Sequence, residues 1–360
     1  MEELRAQFPV LERVAYLNAG TNGPVPRRAV EAAEASIHEQ LERGRSSRPW
    51  FEHQIERIDL LRERAAGLLG SEQADVAITG STTDGVNAVL HALDLRPGDE
   101  LLTSDEEHPG VLGPLATARD TRGVTVRVVP FEELPGESRP ETRLVVTSHV
   151  SWATGRIMDS APLAASGALV LLDGAQGLGA IPVDVRELGC DFYAASGQKW
   201  LCGPGGIGYL YASPKLVPDL AAPWSGYHAM EWSERALVPA LQPDARRLGT
   251  GYPAPHHVEW AHAALDVLAE PGFDQVHARA IASAEGLAAM LRDRGVVVAD
   301  RGESTLVSFE VPDPEGFTTR AAEEGIVIRF LPGRPWVRAS VGAWNTEDEL
   351  ERLAELAAGA

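Results

Sequence analysis

An α/β fold, with a mostly parallel sheet covered by helices on both faces and followed by a smaller α+β part, is predicted by three features of the sequence. Between Asp75 and Ser213, short β-branched runs alternate with segments of helical period, the pattern of strands joined by crossover helices. After Gly249-Thr250-Gly251 the rhythm changes to long helical stretches and a few short strands. The chain has 360 residues, enough for about two hydrophobic cores.

Taken in order, Ser46 to Arg64 reads as a helix lead-in. Val76-Ala77-Ile78-Thr79 reads as a strand, followed by a helix over Asp84 to Leu93 and a strand at Glu100 to Thr103. Further strands are expected at Val124 to Val129, Leu144 to Thr147, Ala168 to Leu172, Phe192 to Ala195 and Ile207 to Tyr211. Helices over Val258 to Leu268 and Ile281 to Arg292 precede strands near Val296, at Leu306 to Glu310, at Val327 to Arg329 and at Trp336 to Ser340. Thr346 and Glu349 form a capping-box pattern that opens a last helix, Glu347 to Ala357. The expected division is an N-terminal segment over 1–20 packing with the small domain, a large domain over 21–250 and a small domain over 251–360.

Composition narrows the function. The formal charge is −20 with no basic cluster, so a nucleic acid or an anionic membrane would be repelled. The N-terminus lacks the cationic start and apolar core of a signal peptide, and no apolar run reaches the ~20 residues of a membrane span. A cytoplasmic protein is expected. Cys190 and Cys202 are too few for a disulfide framework and lack zinc spacing, so both read as small buried side chains. The neighbours His256 and His257 diverge on any regular element, and no metal site is expected.

The chain contains only two lysines, Lys199 and Lys215. Lys199 stands in Ser196-Gly197-Gln198-Lys199-Trp200-Leu201-Cys202-Gly203-Pro204-Gly205-Gly206, twenty-six residues after Asp173 of Leu171-Leu172-Asp173-Gly174-Ala175-Gln176. An acid and then a lysine, each at the end of a buried strand, suggest pyridoxal phosphate. Asp173 could pair with the protonated pyridine nitrogen and keep the ring an electron sink for a carbanion at the substrate Cα; alternatively it only caps a turn, as Asp before Gly often does. Gln176 could bond the ring hydroxyl. Lys199 would form an imine with the cofactor and, once displaced, remove the Cα proton. A solvated surface role suits Lys215 better than Lys199.

Other motifs fall at the same sheet edge, where ligands bind in such folds. Thr79-Gly80-Ser81-Thr82-Thr83-Asp84-Gly85 follows a strand and opens a helix, so it could hold a phosphate or be an ordinary helix start capped by Thr82, Thr83 or Asp84. His108, of Glu107-His108-Pro109, could stack on a flat ring and relay protons. His149 reads as packed beneath the sheet edge. Arg338 could grip a carboxylate through two parallel hydrogen bonds, with Arg334 and Arg329 as helpers; each could instead be a surface charge.

These motifs, in this order, resemble the class V aminotransferase family of fold-type I pyridoxal-phosphate enzymes. The resemblance runs from Tyr16-Leu17-Asn18-Ala19-Gly20-Thr21 through Thr79 to Asn87, Glu107-His108, His149 to Gly155, Asp173 to Gln176 and Ser196 to Gly206, ending at Arg338 to Leu350. It implies a seven-stranded sheet, Lys199 as the Schiff-base lysine, Asp173 at the ring nitrogen, Gln176 at the ring oxygen and His108 stacked on the ring. Thr82, Thr83, Ser196 and Gln198 would hold the phosphate, with Thr250 reaching across from the second subunit of a homodimer. Arg338 matches the carboxylate-binding arginine, and Asn18 to Thr21 would lie near the substrate.

Two departures bear on activity. Gln198 stands where many members carry His, and Ile326 to Val337 contains no cysteine where the family's desulfurases place their nucleophile. Cys202 belongs to the cofactor-binding run, so a persulfide-forming desulfurase is not expected. Asp105 to Val111, Ser148 to Gly155 and Lys199 to Pro204 resemble the cysteine/cystine carbon–sulfur lyases, with Trp152 where desulfurases often carry Asn. The resemblance implies β-elimination from an amino acid bearing sulfur on Cβ, giving pyruvate, ammonia and a thiol or persulfide. The alternatives are amino-group transfer to a keto acid, racemisation or epimerisation, and a non-catalytic relative. Selection of the leaving group would fall to the N-terminal segment, Trp224 to Trp232 and Arg329 to Pro335. Within the second of these, Ser225, Tyr227, His228 and Trp232 could line a pocket, or Tyr227 and Trp232 could pack a dimer interface.

Overall fold

The computed structural model describes residues 1–224, 226–231, 240–249 and 251–360; Ser225, Trp232 and Thr250 lie outside them. Among the described residues seven strands form the main sheet: β1 (Val76–Thr79), β2 (Glu100–Ser104), β3 (Thr125–Val129), β4 (Thr142–Ser148), β5 (Leu169–Asp173), β6 (Phe192–Ser196) and β7 (Gly208–Ala212). Their order across the sheet is β1-β7-β6-β5-β4-β2-β3. Only β7 runs against its neighbours.

Alternation along each strand explains why both faces are covered. Leu102, Val145, Leu172 and Tyr193 enter one core with Ile58, Leu61 and Leu69. Their chain neighbours Leu101, Leu144, Leu171 and Phe192 enter the opposite core with Val86, Val89, Val111 and Leu115. The first core is built on helix α2 (Arg48–Leu69), which follows α1 (Arg27–Arg43); the second is built on α3 (Thr82–Ala92) and α4 (Pro109–Arg122).

Two sequence expectations change here. The segment from Ser46 is a complete helix rather than a lead-in, opened by Ser47, whose Oγ accepts from the Trp50 N–H at 3.3 Å. Its buried face includes Gln54 and Arg62, which blurs the apolar period; the Arg62 guanidinium is satisfied by the carbonyls of Val76 (2.8 Å) and Gln73 (2.9 Å). Helix α3 starts two residues earlier than expected, and its cap is Ser81, whose Oγ accepts from the Asp84 N–H at 3.1 Å.

A second sheet is antiparallel, with β8 (Leu306–Glu310), β9 (Arg329–Phe330) and β10 (Trp336–Ser340) in the order β8-β10-β9. It packs with α6 (Phe273–Asp293), which follows α5 (Pro255–Ala269), and with α7 (Pro314–Glu323) and α8 (Glu347–Ala358). The strand expected near Val296 reduces to a bridge between Val298 and Phe309. The one expected at Val327 to Arg329 divides: Ile326–Val327 pairs with Ala15–Tyr16, and Arg329–Phe330 pairs with β10. Asn18 bridges Ser340, so the N-terminal segment is stitched to the second sheet. Among the described residues no helix is long and apolar enough to cross a membrane.

The capping box of α8 is formed as expected: Thr346 Oγ1 accepts from the Glu349 N–H (3.4 Å) and Glu349 Oε2 from the Thr346 N–H (3.0 Å). Thr346→Ala is expected to lower stability by about 1 kcal/mol, read as a lower urea midpoint at unchanged slope; an unmoved midpoint would show that the box contributes nothing.

Candidate active site

Because β4, β5 and β6 are parallel neighbours, their carboxyl ends open side by side. Ser148 is in register with Asp173, and Asp173 with Ala194. Beyond Ser196 the chain turns back through Gly197 to Lys199, the Gly197 N–H donating to the Ile207 carbonyl at 2.9 Å. This topology brings an acid and a lysine from distant segments to one cavity of about 220 Å³. Its walls include Thr82, Thr83, His108, Trp152, Asp173, Gln176, Ser196, Gln198, Lys199 and Arg338, each of them singled out in the sequence.

Asp173 is buried and Lys199 half-buried, yet no acid lies within 4.0 Å of the Lys199 ammonium among the described residues. Burial pushes the Asp173 carboxyl up, while the Lys199 charge and the Ala175 N–H, which donates to Oδ1 at 2.8 Å, pull it back. Burial, seconded by Arg338 and Arg329, brings the Lys199 ammonium down to about 8 against the opposing influence of Asp173.

At one end of the cavity stand Ser81, Thr82 and Thr83 at the start of α3, with Ser196 and Gln198. Thr82 Oγ1 and Ser196 Oγ lie 2.5 Å apart, and the Thr82 N–H donates to Ser196 Oγ at 3.3 Å. The buried Oε1 of Gln198 has no partner among the described residues. This is a concave array of hydroxyls and amides at a helix N-terminus, suited to an anion.

His108 caps α4, its Nδ1 accepting from the Gly110 N–H at 3.0 Å. That bond leaves the proton on Nε2, and burial followed by the charges of Lys199, Arg329 and Arg338 pushes the imidazolium down to about 4. The ring is neutral at ordinary pH and meets Trp152 edge-on at 5.1 Å. Gln176 is oriented from two sides: the Trp200 indole N–H donates to its Oε1 (2.9 Å), and its Nε2 donates to the Gly20 carbonyl (2.8 Å). The second hydrogen on Nε2 remains for a ligand. His149 lies below the sheet edge, as expected, beside Tyr193.

Arg338 Nη1 donates to the Trp152 carbonyl at 2.7 Å, whereas its buried Nε and Nη2 have no partner among the described residues. Those two atoms form one edge of the guanidinium, the edge that takes a carboxylate side-on. Arg329 also lines the cavity, its guanidinium 5.9 Å from the Trp152 ring. Arg334 does not; its Nη2 donates to the Asp105 carbonyl at 2.7 Å. Asn18 is tied into its own turn, accepting from Thr21 Oγ1 at 2.7 Å, and Gly20 and Thr21 line the cavity in its place. Ser81, Ser148 and Val150 also line it; the sequence placed them within motifs without giving any of them a role of its own, although their places at or beside the carboxyl ends of strands would have flagged them. Neither cysteine lines the cavity; burial pushes the Cys190 thiol up to about 12 and the Cys202 thiol higher still.

The family described as aminotransferase class-V matches residues 15–353. The chain belongs to the class V aminotransferase family. As a family member it is a pyridoxal-phosphate-dependent enzyme of fold type I, with the seven-stranded mixed sheet of that fold. It is 29% identical to isopenicillin N epimerase of Streptomyces clavuligerus over 98% of its own length and 96% of the relative's. It is 35% identical to a cysteine desulfurase of Klebsiella pneumoniae over 64% of its length, a stretch that spans 62% of that protein. Among solved structures, a cystine C–S lyase in complex with its reaction product cysteine persulfide superposes with a TM-score of 0.91 at 27% identity, covering 98% of this chain and 99% of that one.

The depressed Lys199 value gives a test. Only the neutral amine attacks an aldehyde, so capture of pyridoxal phosphate by the cofactor-free protein should accelerate with pH through a midpoint near 8. Asp173→Asn removes the carboxylate that favours the ammonium and should move the midpoint lower. A midpoint near the ordinary 10.5 would contradict the burial argument.

Proposed function

We propose that this enzyme cleaves the Cβ–S bond of a cystine-type or S-substituted cysteine substrate by β-elimination, without a cysteine nucleophile. The observation that supports this reading best is a cavity holding Lys199, Asp173 and two arginines, Arg329 and Arg338, and no thiol. The similarity to a cystine C–S lyase over nearly the whole chain supports it as well.

The residues present fit pyridoxal phosphate. The hydroxyls and amides of Ser81, Thr82, Thr83, Ser196 and Gln198 are placed for its phosphate, and the face of His108 for its ring. Asp173, whose carboxylate holds one internal N–H, is matched to a cationic ring nitrogen, and the remaining Gln176 N–H to the ring oxygen. When bound, the cofactor supplies an electron sink that acidifies the substrate Cα–H. Lys199, poised near neutrality, takes that proton as a base. The free Nε–Nη2 edge of Arg338 orients the substrate carboxylate. Arg329 stands where it can engage a second carboxylate, one carried by the leaving group, as in cystine.

We assign the active unit as a cytoplasmic homodimer in which Thr250 of one chain serves the other's phosphate site. The full-length similarity to isopenicillin N epimerase favours a second reading, inversion at Cα, which needs a proton donor on the face opposite Lys199.

The deciding assay measures pyruvate and sulfide release from cystine, cysteine and S-substituted cysteines, with and without a keto acid, together with the chirality of recovered substrate. Turnover without a keto acid, absent in Lys199→Ala, is expected. Product only with a keto acid would make the enzyme an aminotransferase, and racemised substrate without pyruvate would make it an epimerase. Arg338→Ala should raise KM about a hundredfold for all substrates. Arg329→Gln should cost about tenfold only for those with a second carboxylate; equal losses on cystine and on S-methylcysteine would refute the Arg329 assignment.

A further inference from the structure

Asp173 and Gln176 sit on one tight turn, and the contacts beneath that turn are unusually exacting. A Cβ at Gly174 would fall inside van der Waals contact of the Tyr193 ring, and one at Gly177 would collide with the Tyr193 hydroxyl and lie 2.9 Å from His149 Nδ1. The turn is therefore moulded onto the phenol, with the ring under residue 174 and the hydroxyl under residue 177. Tyr193 belongs to β6, on one side of β5, and His149 directly follows β4, on the other. Their side chains meet below the strand that carries Asp173, with Tyr193 Oη and His149 Nδ1 at 3.0 Å and the rings at 73°.

The backbone joins the same arrangement. The His149 N–H donates to the Asp173 carbonyl at 2.9 Å, and the Gly174 N–H donates to the Ala194 carbonyl at 2.7 Å. Both side chains are buried, 3% exposed for His149 and 0% for Tyr193. Burial pushes the imidazolium down to about 4 and the phenol well above its usual value, so the pair stays neutral and its hydrogen bond persists across the working pH range.

We propose that Tyr193 and His149 form a hydrogen-bonded clasp across β5 that positions Asp173 and Gln176 against the cofactor ring. They touch neither substrate nor cofactor and act as positioning residues. Breaking the bond frees the turn to tilt, and a displacement of the order of 1 Å at Asp173 is enough to slow proton removal about tenfold or more. The idea depends on pyridoxal phosphate binding at this cavity and is independent of which amino acid is consumed.

The test uses Tyr193→Phe, which removes one oxygen, His149→Leu, the double variant and His149→Gln, which restores a partner for the hydroxyl. Each is read by the induced circular dichroism of the bound cofactor, by pyridoxal-phosphate affinity of the cofactor-free protein, and by kcat and KM. The clasp predicts weaker induced dichroism and kcat lower by about tenfold with KM little changed in either single variant. It also predicts a double variant no worse than either single one, because one bond is lost in each case, and recovery in His149→Gln. Wild-type dichroism and kcat in Tyr193→Phe would overturn the proposal, as would additive losses in the double variant. If His149→Leu does not fold, Gly177→Ala, which drives a methyl against the hydroxyl, takes its place with the same expected and contrary outcomes.

Discussion

Two groups of opposite charge, Asp173 and Lys199, line one cavity without touching. At about 4 Å and a protein-like effective dielectric their attraction would be worth about 4 kcal/mol, so keeping them apart takes structure. Parallel pairing of β5 and β6 delivers the acid, and the turn through Gly197 and Gln198 returns the lysine to the same cavity. The Ala175 N–H holds the carboxylate toward its own turn. Separation leaves a space that a flat cation-bearing ring can fill, with an amine at its margin that is neutral enough to react.

The arginines complete the electrostatics. The protein carries a net charge of −20, yet its cavity gathers Arg329, Arg338 and Lys199. Burial first, and then the mutual repulsion of these cations, leaves His108 neutral and brings Lys199 down to about 8. The same charges make the cavity attractive to carboxylates within an otherwise acidic surface. Arg338 meets no acid among the described residues, its one side-chain bond there being to a carbonyl oxygen, which leaves a complete recognition edge.

How much of this the sequence disclosed depends on the kind of signal each residue carries. Lys199, Asp173 and Gln176 were legible because an apolar run ending in a polar residue marks a strand end whatever the rest of the chain does, and because lysines are so few. The capping box at Thr346 and Glu349 was legible because its pattern is local. Helix α2 was read only as a lead-in because its inner face uses Gln54 and Arg62; the Arg62 charge is met by carbonyls beyond the helix that a linear pattern does not show. Ser81, the cap of α3, was passed over because three further capping-type residues, Thr82, Thr83 and Asp84, follow it directly. The exclusion of Arg334 and Asn18 from the cavity walls, and the inclusion of Arg329, depended on loop directions that no periodicity encodes. The clasp of Tyr193 and His149 joins strands separated by β5, so only the sheet order reveals it.

The measurement that bears most directly on the central arrangement is peptide mapping of the pyridoxal-phosphate-loaded protein after borohydride reduction, which fixes the cofactor to the amine that holds it. With two lysines in the chain, the outcome is unambiguous. The structure predicts a phosphopyridoxyl group on Lys199, none on Lys215, and loss of the label in Lys199→Ala. Labelling of Lys215 or of the N-terminal amine with Lys199 unmodified would contradict the account at its foundation.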